Sequence, residues 1–161
     1  MKEKIDIRPI TAEDTDLIVR WRNSEHVIAN FIDKNILTSE SHMKWFNNFI
    51  QKGKVMQFII LSDGIEVGTT FIKNIEAEDS CPEFGYFIGE YDFLGKGIGT
   101  QAGKLTVNKY FESHNRNLIA RAVADNISSD KALKKIGFRY NTTYSESDGT
   151  EVFMYEYDGD E

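Results

Sequence analysis

Three glycines at alternate positions, Gly95, Gly97 and Gly99, stand between a strand-like run, "CPEFGYFIG", and a long apolar-periodic run from Ile98 to Ser113. A second strand-like run, "LIARAVAD", follows the helix that this periodicity predicts. Strand, glycine loop, helix and strand in this order form a crossover unit. Such a unit makes its two strands parallel and is almost always right-handed. Hairpin signals flank it on both sides. "VMQFIIL" and "IEVGTTFI" meet at Ser62-Asp63-Gly64, and "FRYNTTY" and "EVFMYEY" meet at "SESDG". With "IDIRPI" as a first strand, the runs predict a mixed, mostly antiparallel sheet of about seven strands covered by helices. The class is α/β.

The remaining helices have start and stop signals. "TAEDTDLIVRWRN" reads as a helix capped by Thr11, with Asp14 in its first turn and Leu17, Ile18 and Trp21 on its apolar side. "TSESHMKWFNNFIQK" reads as a second helix with Trp45, Phe46, Phe49 and Ile50 on one face. "SSDKALKKI" is a short helix stopped by Gly137 as a left-handed cap. No linker, repeat or low-complexity segment interrupts the chain, so residues 1–161 read as one domain, with residues 158–161 as a frayed acidic tail.

Composition excludes several function classes. At 161 residues and 40% hydrophobic, the chain can bury a core of its own. It contains no apolar run long enough to span a membrane, and "MKEKIDIRPI" lacks the apolar stretch of a signal peptide. Cys81 is the one cysteine, which rules out an internal disulfide and fits a reducing cytoplasm. No metal-ligand spacing occurs. A net charge of −7 without a basic patch argues against nucleic acid as the main partner. It tilts toward a cationic small molecule, unless it is ordinary solubility charge.

The glycine loop is the chemical signal. A helix N-terminus offers unpaired N–H groups and partial positive charge, and glycines let a backbone approach a phosphate. The nucleotide P-loop pattern fails, because Ile98 stands where its first glycine belongs and Leu105 replaces the Ser/Thr that holds magnesium. The dinucleotide pattern matches at Gly97, Gly99 and Ala102, with Asp125 ending the next strand. The residues after it end in a hairpin, however, and cannot build a second nucleotide-binding half. A third pattern, the acetyl-CoA loop [QR]-x-x-G-x-[GA], fits at Gly97 and Gly99, with Lys96 adding charge and Leu94 departing from the usual Gln or Arg.

From "IRPITAED" near the start to "KKIGF" near the end, the chain resembles a GNAT-family N-acetyltransferase. "LGKGIGTQA" is similar to the loop of the ribosomal-protein N-acetyltransferase subgroup. "NISSDKALKKIGF" resembles the family's N-x-x-S/A run ending in Gly-Phe, at Asn126, Ser129 and Gly137-Phe138. The resemblance implies a GNAT fold whose parallel strands splay apart to admit the pantetheine arm of acetyl-CoA, with helices on both faces of the sheet. It assigns main-chain bonds to the arm from Phe87 and Ile88. It assigns the pyrophosphate to Gly95, Lys96, Gly97, Ile98, Gly99 and Thr100, and further cosubstrate contacts to Asn126 and Ser129.

For catalysis it implies Glu83 as a base acting through water and the Ile88 N–H as oxyanion donor. Leu133 stands where many relatives carry a proton-donating Tyr, which leaves solvent, Tyr86, Tyr140 or Tyr144 as substitutes. The pair "WRN" and "H-x-x-W-F" is similar to N-acetyltransferases of nucleotide-linked amino sugars. It suggests Trp21, Arg22, Asn23, His42, Trp45 and Phe46 as acceptor lining, while His26 and His114 read as surface residues. Three readings stay open. One is N-acetylation of a small amine such as an amino sugar, another is acetylation of a protein N-terminus or polyamine, and the third is a binding module for acetyl-CoA or a nucleotide without turnover. Relatives are often homodimers, and the resemblance carries that expectation too.

Overall fold

A computed structural model describes residues 3–159. Seven strands form one sheet: β1 (Ile5–Pro9), β2 (Met56–Ser62), β3 (Ile65–Lys73), β4 (Glu83–Ile88), β5 (Ile119–Val123), β6 (Phe138–Ser145) and β7 (Glu151–Tyr157). Their spatial order is β1-β2-β3-β4-β5-β7-β6. Each neighbouring pair is antiparallel except β4 and β5, which are parallel. The expected mixed sheet is therefore present, and the parallel pair is the crossover that the glycine loop implied.

The β2–β3 hairpin turns at Asp63-Gly64, both at positive φ (48° and 82°). That is the backbone of a type I′ turn, whose twist matches the strands it joins.

Among the described residues five α-helices cover the sheet: α1 (Thr15–Arg22), α2 (Glu25–Ile28), α3 (Ser39–Trp45), α4 (Ile98–Phe111) and α5 (Ile127–Ile136). β4 shows how the two faces divide. Phe84 and Ile88 point one way, into clusters with Val107, Leu133 and Ile136 and with Ile98 and Ala102 of α4 and α5. Phe87 points the other way, into a cluster with Ile18, Trp21 and Phe46 from the first helices. The period-two alternation of the strand thus builds both cores.

The start of α1 is tied to the sheet by Asp14. Its carboxylate accepts from the Thr11 N–H (2.8 Å) and from both terminal nitrogens of Arg8 on β1 (2.9 and 2.8 Å). The Arg8 guanidinium holds the Asp14 carboxyl below its ordinary value, against the opposing effect of burial. Thr38 caps α3 by accepting from the Ser41 N–H (3.0 Å).

Three expectations change. The second predicted helix ends its α-helical part at Trp45 and continues as a π-turn over Phe46–Ile50. Phe46, at its start, is buried, while Phe49, within it, is exposed. The short helix α2 was not legible in the sequence. Asp158 and Gly159, expected in a frayed tail, both donate backbone hydrogen bonds to the Gly137 carbonyl (2.8 and 3.2 Å), and residues 160 and 161 lie outside the described residues. Among the described residues no helix is long and apolar enough to cross a membrane.

Candidate active site

β4 and β5 are paired only at Glu83↔Ile119 and Phe84↔Ala120, and beyond those residues they part. The register of the next ladder tells which backbone groups face the gap. The Gly89 N–H, just past β4, donates to the Val67 carbonyl (2.8 Å), so Gly85 and Phe87 of β4, like Gly89, turn their backbone toward β3. Tyr86 and Ile88 then turn theirs toward the gap. His26 Nε2 lies 3.0 Å from the Ile88 carbonyl, on that open side. The Phe87 backbone, expected to serve the arm, therefore belongs to the β3 ladder. Its side chain instead joins the cavity wall.

Gly68 explains how β3 permits this geometry. A Cβ there would stand 2.4 Å from the Phe87 carbonyl oxygen and 3.0 Å from Ile88 Cα. Both are backbone atoms, so β4 comes this close only because position 68 has no side chain.

The gap opens into a cavity of about 890 Å³. At one end lies the glycine loop. Gly95 and Gly97 adopt φ of +75° and +74°, and Gly97 is the residue that starts α4. Nothing lies within 4 Å of where their Cβ atoms would be, so the loop's convex backbone is open. The first helical bond runs from the Gln101 N–H to the Gly97 carbonyl, which leaves the N–H groups of Ile98, Gly99 and Thr100 without helical partners. No acidic side chain occupies this first turn. Lys96 in the loop and Lys131 and Lys135 of α5 also line the cavity. Donors, left-handed glycines and lysines together fit a pyrophosphate.

Asn126 and Ser129 also line the cavity, and they bind each other. The Asn126 Oδ1 accepts from the Ser129 N–H (3.2 Å) and its Nδ2 donates to Ser129 Oγ (3.0 Å). Asn126, rather than Ser129, is the N-cap of α5.

Glu83 stands where the strands begin to part, 8% exposed. Its carboxylate receives Arg121 Nε at 3.1 and 3.0 Å. Arg121 Nη1 in turn donates to Tyr144 Oη (2.7 Å). Burial opposes the Arg121 charge, but Glu83 and Tyr144 outweigh it and hold the guanidinium protonated. The sequence marked Glu83 and missed Arg121, although an arginine inside "LIARAV" was a signal that some buried acid waits opposite. Of the tyrosines considered as proton donors, Tyr140 is exposed and bonded to Thr143. Tyr144 is held by Arg121 and Glu146. Tyr86 lines the cavity, beside Ser129 and the first turn of α4.

The acceptor residues divide. Arg22, His42 and Trp45 line the cavity. Trp21, Asn23 and Phe46 do not. Trp21 is 0% exposed, lies against Gly89 and Phe87, and donates its Nε1–H to Glu90. Asn23 pins the loop before α3 by donating to the Leu37 carbonyl (2.6 Å) and accepting from its N–H (2.8 Å). Phe46 is part of the core. His26, read as a surface residue, instead lines the gap through Ile88. Among the described residues no cluster of side chains could hold a metal ion.

Residues 4–139 match the family profile described as an acetyltransferase (GNAT) domain. The chain belongs to the GNAT acetyltransferase family. It is 29% identical over 140 residues to an uncharacterized protein of Methanocaldococcus jannaschii; the match covers 84% of this chain but only 28% of that protein. A crystal structure of a domain from the same organism superposes with a TM-score of 0.77 at 26% identity, covering 96% of this chain and 99% of that one. A spermidine N-acetyltransferase from Vibrio cholerae, solved with CoA and spermine, superposes with a TM-score of 0.82 at 14% identity, covering 94% of each chain. The domain that residues 4–139 form is thus of an acyltransferase family.

Proposed function

We propose that this GNAT acetyltransferase transfers an acetyl group from acetyl-CoA to the primary amine of a small molecule. The observation that carries the reading is the gap between β4 and β5, which links the glycine cradle at α4 to the lobe lined by Arg22, His42 and Trp45. In this reading the pyrophosphate seats on the N–H groups at Gly97–Thr100, and the pantetheine arm lies along Tyr86 and Ile88 as a missing strand. The amine nitrogen attacks the thioester carbonyl. The Ile88 N–H donates to the developing oxyanion. Glu83, paired with Arg121, accepts the amine proton through water as the carbon–sulfur bond breaks, giving an amide and CoA. A thiol has an ordinary pKa near 8.5, so the thiolate leaves without a dedicated acid, consistent with Leu133 at the position where relatives carry Tyr.

Thermal melting with acetyl-CoA, CoA and NAD tests the cosubstrate. A ligand at about 100 times its Kd adds about 2.7 kcal/mol, or roughly 5 to 10 °C for a chain of this size. Both CoA species are expected to raise the Tm and NAD to leave it unchanged. Stabilisation by NAD alone would mean that Gly97, Gly99 and Ala102 form a dinucleotide site.

Gly68→Ala tests the oxyanion geometry. The new methyl group would push the Phe87–Ile88 peptide, and misplacement on the scale of an ångström costs about 100-fold in rate. Steady-state thiol release is expected to show kcat down by about 10- to 100-fold with the CoA-induced melting shift retained. Unchanged kcat would remove the Ile88 N–H from the reaction.

A further inference from the structure

The acceptor lobe holds two buried nitrogens that no described residue satisfies. His42 is 2% exposed and its Nε2 has no partner. Arg22 is 8% exposed; its Nη2 donates to the Asp33 carbonyl (2.7 Å) while its Nη1 has no partner. The guanidinium lies 3.8 Å above the Phe31 ring, which fixes its plane. Burial works against the charge on Arg22 and against protonation of His42. The acids that act on them do so from a distance: Asp33 on Arg22, and Asp14, already engaged by Arg8, on His42. The Asp33 carboxylate itself accepts from the Asn35 N–H (2.9 Å). Leaving a buried cation without a counter-charge is costly, so a site that keeps one is built for an anion.

The charge of the whole cavity agrees. Glu83 and Arg121 neutralise each other. Beyond that pair the lining carries Arg22, Lys73, Lys96, Lys131 and Lys135 against Asp33. Lys73 is on β3, at the strand position opposite Glu83 and away from the lysines of the cradle. A chain with net charge −7 therefore gives the cavity at the β4–β5 gap an excess of cations.

We propose that the acceptor is an amine carrying an acidic group, a carboxylate or phosphate, which is bound by Arg22 Nη1 and the Nε2–H of His42. This rests on the acetyl-transfer reading and narrows its acceptor to amines that are anionic elsewhere, in preference to polyamines. The aromatic wall formed by Phe31, Trp45 and Phe71 covers the carbon skeleton between the amine and the acid.

The test is thiol release from acetyl-CoA with paired amines: glucosamine 6-phosphate against glucosamine, UDP-glucosamine against glucosamine, alanine against alaninamide, and spermine as the polycation. The first two pairs report a phosphate and the third a carboxylate. The acidic member of at least one pair is expected to have the higher kcat/KM, by about 10- to 100-fold, as charge-assisted hydrogen bonds give. Arg22→Gln is expected to abolish that preference while the CoA melting shift stays intact. Arg22→Lys, which keeps the charge but not the fork, is expected to retain part of it. Equal rates within every pair, turnover confined to neutral amines or spermine, no turnover of any acidic amine, or a preference that survives Arg22→Gln would overturn the proposal. Loss of the CoA melting shift in the unaltered protein would instead fail the acetyl-CoA reading beneath it.

Discussion

Glu83→Gln is expected to lower kcat by about two to four orders of magnitude, the range that a positioned base contributes. The variant keeps the volume of the side chain and one oxygen for Arg121 Nε, so its geometry near 3 Å can persist. What it loses is the charge that receives the amine proton. An amine of ordinary pKa near 10.4 is almost wholly protonated at neutral pH and cannot attack in that form. The deficit should therefore shrink as pH is raised toward the pKa of the amine, because bulk hydroxide then does what Glu83 did. The KM for acetyl-CoA should stay within a few-fold, since Glu83 lies away from the glycine cradle. Thermal melting is the necessary control, because the variant leaves the half-buried Arg121 charge balanced only by Glu146, 4.0 Å from its Nη1. Equal turnover by both proteins across the pH range would end the base assignment.

The largest effect on stability is expected at Trp21. Truncating a fully buried Trp to Ala costs about 3–5 kcal/mol, through lost transfer energy and the cavity left behind. For this chain that lowers the Tm by roughly 6 to 20 °C. The indole lies edge-on to Phe87, with ring centroids 6.4 Å apart, and fills the space over Gly89, where a Cβ would come within 2.1 Å of the ring. Its Nε1–H holds Glu90, which Arg20 also binds (2.7 Å). These contacts brace the chain just after Ile88, so activity should fall further than stability accounts for. Trp21→Phe separates the parts: it restores most of the volume and none of the bond to Glu90. A Tm drop of only a degree or two in Trp21→Ala would mean that this corner of the core repacks freely.

The fold was legible because strands announce themselves locally. Alternation in "IDIRPI", the Asp-Gly turn and the glycine loop each needed only neighbouring residues to be read. The glycine loop at Gly95–Thr100 was legible as an open helix start because it is made of backbone, and the candidate site was less so where side chains from distant segments meet. Trp21 and Arg22 are adjacent in sequence, yet one is sealed in the core and the other lines the cavity, and periodicity alone does not say which. The pairing of Glu83 with Arg121 depends on the register of two strands that touch at two positions. Net charge is a poor guide to the cavity for a related reason. It sums the whole surface, whereas the cavity collects Lys96 of the glycine loop and Lys131 and Lys135 of α5 with Arg22 and Lys73.

The two residue pairs that join β4 to β5 also say something about how the domain is held together. Across this seam the cohesion falls mainly to the packing of α4 on α5 and to Phe84 stacked on Phe138. A domain that zipped the seam shut with further strand pairs would be firmer and would have no room for a guest. In this arrangement cohesion and affinity draw on a single reserve of free energy: the backbone bonds withheld from β5 are the ones offered to whatever lies along β4.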